Sequence, residues 1–200
     1  MLEIFEKGGP VLYVIVLCSL IAMTVAIERW LFYRQVEKED VGLMPQLRKS
    51  IEDNTVLPGT QYDGPLGRIW HTLAKGSGDR QARDTAAEVV LFTETLGLDS
   101  RLYMLATIGT IAPLLGLLGT VLGMIKTFHT VSLNGVSNPN VLAAGISEAL
   151  YNTAGGLMVT VPCIIGYNFF RNRSEQLSGV LEARLKELTA LLARSDKYAR

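Results

Sequence analysis

A-T-I-G-T-I-A-P-L-L-G-L-L-G-T-V-L-G-M-I-K-T-F, residues 106–128, is too rich in glycine and threonine to be only a lipid anchor. At a helical step, Gly109, Pro113, Gly116, Thr120, Gly123 and Thr127 recur on one face, so small and hydroxyl side chains form a continuous stripe. The other faces carry Leu, Ile, Val and Met. Lipid has no use for such a stripe, whereas a neighbouring helix backbone does, because small residues let helices approach closely in a bilayer. Aligned hydroxyls also suit a narrow polar path.

Working outward, the whole composition fits a membrane chain. Two hundred residues are 48 % hydrophobic and only 19 % charged, with a mean hydropathy of +0.26. The formal net charge is zero, which removes any bulk attraction to nucleic acid. Cys18 and Cys163 both sit in apolar stretches, and His71 and His129 lack partners at metal-ligand spacing. Neither a disulfide framework nor a metal site is expected.

Three spans emerge, at residues 10–27, 102–125 and 142–170, each long enough to cross about 30 Å of hydrocarbon as a helix. The first reads as an uncleaved anchor: Glu3 and Glu6 precede it and Glu28-Arg29-Trp30 makes a poor cleavage site. Trp30, Phe32 and Tyr33 read as an interfacial aromatic belt. A polar turn at 129–141 makes spans two and three an antiparallel hairpin. Lysine and arginine are spread over 34–101 and 171–200, absent from the turn, and limited to Lys7 before span one. The positive-inside rule then puts the long loop and the tail in the cytoplasm.

The expected fold class is an all-α membrane protein: three transmembrane helices with long cytoplasmic helical extensions. Residues 1–33 form the periplasmic N-terminus and first transmembrane helix, 34–101 a cytoplasmic helical loop, 102–170 the hairpin and 171–200 a cytoplasmic C-terminal helix. The loop reads as short helices broken at Leu57-Pro58-Gly59 and Gly76-Ser77-Gly78. A helix capped by Asp79 follows, with Ala82, Ala86, Val89, Val90 and Leu96 on its apolar face, and is expected to run on into span two. In the tail, Leu177, Leu181, Leu185, Leu188 and Leu192 form an apolar stripe, and Glu182 stands four residues before Lys186. That helix is expected to continue span three. Such stripes on so little extramembrane mass point to packing against copies of the same chain.

Span three carries two stripes: Ala149, Thr153, Gly156, Thr160 and Cys163, and beside them Gly145, Glu148, Asn152 and Gly155. Antiparallel pairing sets Thr120 level with Ala149 and Thr153 level with Gly116, to within a turn. Glu148 either faces a bundle interior or water, or snorkels to the nearby interface. Thr120 and Thr153 either line a polar path or bond back to their own helix. The glycines suit packing, and Pro113 and Pro162 suit helix kinks. No carboxylate, lysine or histidine falls near the middle of any span. If the chain conducts protons, the central acid must come from another polypeptide. No catalytic constellation is present in the sequence, so an enzyme is not expected.

The blocks A-T-I-G-T-I-A-P-L-L-G-L-L-G-T-V-L-G-M-I, G-I-S-E-A-L-Y-N-T-A-G-G-L and V-P-C-I-I-G-Y-N, in this order on consecutive spans, resemble the MotA/TolQ/ExbB proton-channel family. Three spans resemble its ExbB and TolQ branch, with the lean to ExbB. The resemblance implies a homopentamer in the bacterial inner membrane, with spans two and three lining a pore. It implies an ExbD-like dimeric partner whose single spans each bear an aspartate, a TonB-like protein that passes movement to outer-membrane transporters, and protons as coupling ion with no other cofactor. Motif for motif, Thr120 and Thr153 fall on the family's pore threonines and Glu148 on its pore glutamate. Gly116, Gly123, Gly156 and Pro113 would pack along the pore face. Tyr151-Asn152 replaces the small or aliphatic pair expected before Thr153, and brings Asn152 into the pore set. The alternatives are a TolQ-like engine of envelope constriction, or a non-conducting membrane scaffold.

Overall fold

A computed structural model describes residues 9–52, 64–75, 80–134 and 139–198. Five helices account for nearly all of them: α1 (Gly9–Glu52), α2 (Pro65–Lys75), α3 (Arg80–Asp99), α4 (Leu102–Asn134) and α5 (Pro139–Tyr198). Prolines stand at the first position of α2 and α5, where the missing amide proton has no helical partner to lose. Among the described residues, three helical stretches are long and apolar enough to cross a membrane: Gly9–Ile51, Arg80–Leu133 and Leu142–Arg194.

The helices run longer than the spans. Where short helices were expected after span one, α1 continues unbroken for 44 residues, through Pro45. The expected breaks at 57–59 and 76–78, and the Asp79 cap, lie outside the described residues. α4 persists to Asn134, so helix occupies the first half of the expected 129–141 turn. The tail does continue span three, in a single helix of 60 residues that passes through Pro162.

The chain divides into two compact units. In the first, formed by residues up to 28 together with 101–169, α1 contributes Leu12, Ile15, Ala22 and Val25 to the core at helical spacing. α4 supplies Leu102, Leu105 and Ala112, and α5 supplies Ala149 and Cys163. α1 meets a small residue of α5 at Gly155. A methyl placed on Gly155 would lie 3.0 Å from the Leu12 side chain and 3.9 Å from that of Ile15.

The second unit comprises residues 29–100 and those from 170 onward. Leu43, Leu47, Ile69, Leu73, Leu98, Leu181 and Leu188 are its largest fully buried side chains. α2 packs on α3, and Arg68 of α2 makes a two-pronged ion pair with Glu94 of α3 at 2.5 and 2.6 Å. The tail stripe is buried at Leu177, Leu181, Leu185 and Leu188, and Glu182 pairs with Lys186 at 2.6 Å. The face expected to be apolar on α3 is not the face this chain covers. Ala87 and Leu98 are buried, whereas Val89, Phe92 and Leu96 are exposed. Phe92 also lines an open groove of about 490 Å³ with Glu88, Asp99, Ser174 and Glu182.

The expected run of α3 into span two is broken at Ser100–Arg101, where Arg101 takes a left-handed conformation (φ 66°). The cause is chemical. The carbonyls of the last α3 turn, which would accept amides of a continuing helix, are taken by side chains instead. Arg29, only 5 % exposed, donates to the carbonyls of Gly97 (3.4 Å) and Leu98 (3.3 Å) and to the Ser100 hydroxyl (3.3 Å). The Tyr33 hydroxyl donates to Leu98 at 2.9 Å. A guanidinium at a helix C-terminus also meets the negative end of the helix dipole. The aromatic belt is therefore split. Tyr33 is buried and stacks on Phe170 at 5.9 Å, while Trp30 is exposed beneath the Arg34 guanidinium at 4.3 Å.

Candidate functional site

Within the first unit, α4 turns its small stripe onto α5. Gly109, Gly116, Gly123 and Thr127 are all buried, and Ala112 and Gly119 join them, so the row steps by three and four residues. Pro113 and Thr120 flank it, half-buried. The opposing row on α5 is Ala149, Asn152, Gly156, Thr160 and Cys163. The helices touch backbone to backbone. A methyl on Gly116 would sit 3.0 Å from the Asn152 carbonyl and 3.1 Å from Thr153 Cα. One on Gly156 would sit 2.6 Å from the Ala112 carbonyl. Only glycine permits this approach, and in hydrocarbon such close packing replaces the hydrophobic drive that water would supply.

Along the whole seam the register stays within a turn of the sequence expectation. The Thr153 hydroxyl donates across the seam to the Gly116 carbonyl at 3.4 Å, so these two residues are level, as expected. Ala149 was expected opposite Thr120 but packs on Gly123, nearly a turn further along. Thr120 donates to Leu117 of its own helix at 2.6 Å, and Thr127 and Thr160 bond back likewise to Gly123 and Gly156.

Asn152 is 2 % exposed within the chain. Its side-chain amide donates to the Glu148 carbonyl at 3.1 Å, while its Oδ1 is buried without a hydrogen-bond partner. It fills the hollow left by Gly119, where a methyl would lie 2.5 Å from Asn152 Cβ. Gly119 was not among the sequence candidates. The available signal was its place beside Gly116 in G-L-L-G, which marks a second small row rather than one.

Glu148 has more company than its sequence position suggested. One carboxylate oxygen accepts from Lys126 Nζ at 3.1 Å. The other points at Gly9, the first residue of α1, where a methyl would lie 2.5 Å away and φ is +64°. Glu148 is thus neither simply interior nor snorkelled: its side chain is 19 % exposed, and its counter-ion, 73 % exposed, reaches in from α4. Sequence reasoning overlooked Lys126 as a partner. The signal was that Lys126 and Glu148 are the only lysine, arginine, aspartate or glutamate between 102 and 170.

The chemical inventory of this seam is hydroxyls, one buried amide, bare backbone carbonyls and, toward the turn, a neutralised ion pair. No group of three or more His, Cys, Asp or Glu that could hold a metal occurs among the described residues. Such a seam can accept and donate hydrogen bonds but holds no acid along its middle.

Residues 48–183 match the MotA/TolQ/ExbB proton channel family. Among curated proteins, the chain is 45 % identical over 95 residues to biopolymer transport protein exbB1 of Vibrio cholerae, covering 47 % of this chain and 42 % of that protein. It is 32 % identical over 175 residues to the putative biopolymer transport protein ExbB-like 3 of Synechocystis, covering 82 % of each. It is 38 % identical over 109 residues to the Tol-Pal system protein TolQ of Pseudomonas aeruginosa, covering 54 % of this chain and 47 % of that protein. The chain thus spans less than half of the exbB1 and TolQ relatives and most of the Synechocystis one.

Proposed function

This chain belongs to the MotA/TolQ/ExbB proton channel family, and from that premise we propose that it is the ExbB-like channel subunit of a bacterial inner-membrane motor. With an ExbD-like partner it uses the proton motive force to energise TonB-dependent transport across the outer membrane. The observation that carries this reading is the hairpin seam: hydroxyls and backbone carbonyls at matched depth, with the sole carboxylate of residues 102–170 already tied to Lys126. A proton path needs a titratable group, so the acid at its centre belongs to a second polypeptide, a single-span protein with an intramembrane aspartate. Five copies of this chain surround two of that partner. The exposed Val89, Phe92 and Leu96 of α3 support self-association, since apolar area of that size is normally covered. The N-terminus and the 129–141 connection face the periplasm; the long loop and the tail face the cytoplasm.

In the proposed mechanism, protonation neutralises the partner's aspartate and removes the cost of moving its charge through a low-dielectric pore. Thr120 and Thr153 suit the two charge states. While each hydroxyl donates to a carbonyl, its oxygen still accepts from a protonated acid. Turned away from that carbonyl, it donates to an ionised one. The Thr153 bond to Gly116, at 3.4 Å, is long and easily exchanged.

The experiment is proton uptake by proteoliposomes holding the complex with its partner, alongside its native mass. Thr120→Val and Thr153→Val keep shape but lose the hydroxyl, and each is expected to preserve five-to-two assembly and abolish coupling. Equal flux from the double variant and the wild type refutes the threonine role. A non-conducting scaffold predicts silent threonine changes and loss of assembly in Gly116→Leu. The stretch shared with TolQ favours a second reading, a Tol-Pal-like engine; the neighbouring genes, an iron-uptake receptor cluster or a Tol-Pal cluster, separate the two.

A further inference from the structure

The single cation and the single carboxylate of residues 102–170, Lys126 and Glu148, meet each other at 3.1 Å. They come from different helices, and α1 brings no charged residue between 9 and 27 to compete with either. The remaining titratable side chain near the turn on α4 is His129, which is exposed. The carboxylate is mostly covered and lies against the first residue of α1, at a glycine whose positive φ and lack of a side chain leave room for it. Three helices therefore converge on one carboxylate. A carboxylate at this depth is expensive without a partner, and the long lysine stem lets an otherwise exposed ammonium reach it.

We infer that Lys126 is the positioning residue of Glu148: a tethered counter-ion that holds the carboxylate in place against α1 and closes the turn end of the three-helix unit. The Glu148 side chain is then held in place at one end of the path rather than free to swing along it. Lys126 matters through Glu148 and not by itself. Removing the lysine alone strands a mostly buried carboxylate, whereas removing both charges strands nothing. The effect on function rests on the proton-channel reading; the coupling between the two side chains does not.

The test is a double-substitution cycle in the reconstituted complex, with flux counted per assembled complex of native mass. Lys126→Met is expected to lower flux by about tenfold or more, the loss anticipated when one member of a covered ion pair is removed. Lys126→Arg, which keeps the charge, is expected to stay within about twofold of wild type. Lys126→Met/Glu148→Gln is expected to match Glu148→Gln alone. Wild-type flux in Lys126→Met, or a double variant whose loss is the product of the two single losses, overturns the proposal. Should the wild-type complex conduct no protons, the channel reading falls, and the same cycle is read on the denaturation midpoint of the purified chain. A double variant more stable than Lys126→Met supports the pairing there, and additive losses overturn it.

Discussion

Gly156→Ala asks whether the hairpin stands on backbone contact. The added methyl would lie 2.6 Å from the Ala112 carbonyl and 3.2 Å from Gly116 Cα. Neither is the end of a flexible side chain, so the helices themselves must part. Restoring ordinary contact with the carbonyl needs about 0.8 Å of separation, and a gap of that size forfeits about a quarter to a half of each contact's attraction along the seam. The Thr153 to Gly116 hydrogen bond, already 3.4 Å, would pass out of range, a further loss of about 1 kcal/mol. Overpacking of a tight contact costs about 1–3 kcal/mol. Against these, alanine is the better helix former by about 1 kcal/mol. The net expectation is a loss of about 1–3 kcal/mol. The assay is reversible unfolding of the purified chain in mixed micelles, with Gly166→Ala as companion. Gly166 lies on the same helix with nothing within 4 Å, so its substitution is expected to be neutral or to stabilise by up to about 1 kcal/mol. If Gly156→Ala is as stable as Gly166→Ala, close approach is not what holds α4 to α5.

Three further outcomes are expected. Arg29→Met removes the donor from the last α3 carbonyls and is expected to cost about 2–4 kcal/mol locally, read as faster amide exchange across 96–104; Arg29→Lys recovers part of it, and unchanged exchange refutes the cap. The Glu187 carboxylate is held below its ordinary value of 4.5, chiefly by the hydrogen bond from Arg48, with Arg184 assisting against burial. Its contribution is therefore full above 4.5 and fades as pH falls through the lower folded value, so Glu187→Gln is expected to flatten the acid limb of the stability profile, and an unaltered limb counts against the pairing. Gly9→Ala places a methyl on the Glu148 carboxylate at a left-handed position; it is expected to cost about 1–3 kcal/mol and to perturb Lys126→Met less than wild type, and equal losses in both backgrounds argue against a shared clamp.

Much of the architecture was legible without coordinates because it is set by short-range rules. Hydrocarbon thickness and backbone satisfaction demand three long helices, and the tail stripe of Leu177, Leu181, Leu185 and Leu188, read from helical spacing, is buried. The stripe from Gly109 to Thr127 announced a close helical partner, and the level pairing of Thr153 with Gly116 followed from helical rise across the turn. What the chain could not declare locally was which of several small or apolar faces meets which neighbour. Val89 and Leu96 make as good an apolar stripe as Ala87 and Leu98, and only packing against α2 and the second unit's own core decided between them. The break at Ser100–Arg101 is marked locally only by Gly97, which itself lies inside α3. It exists because Arg29 and Tyr33, some seventy residues earlier, take the carbonyls that a continuous helix would have used. The Lys126–Glu148 pair is of the same kind: the sequence shows the only two charges of residues 102–170, but the packing of α4 on α5 is what brings them together.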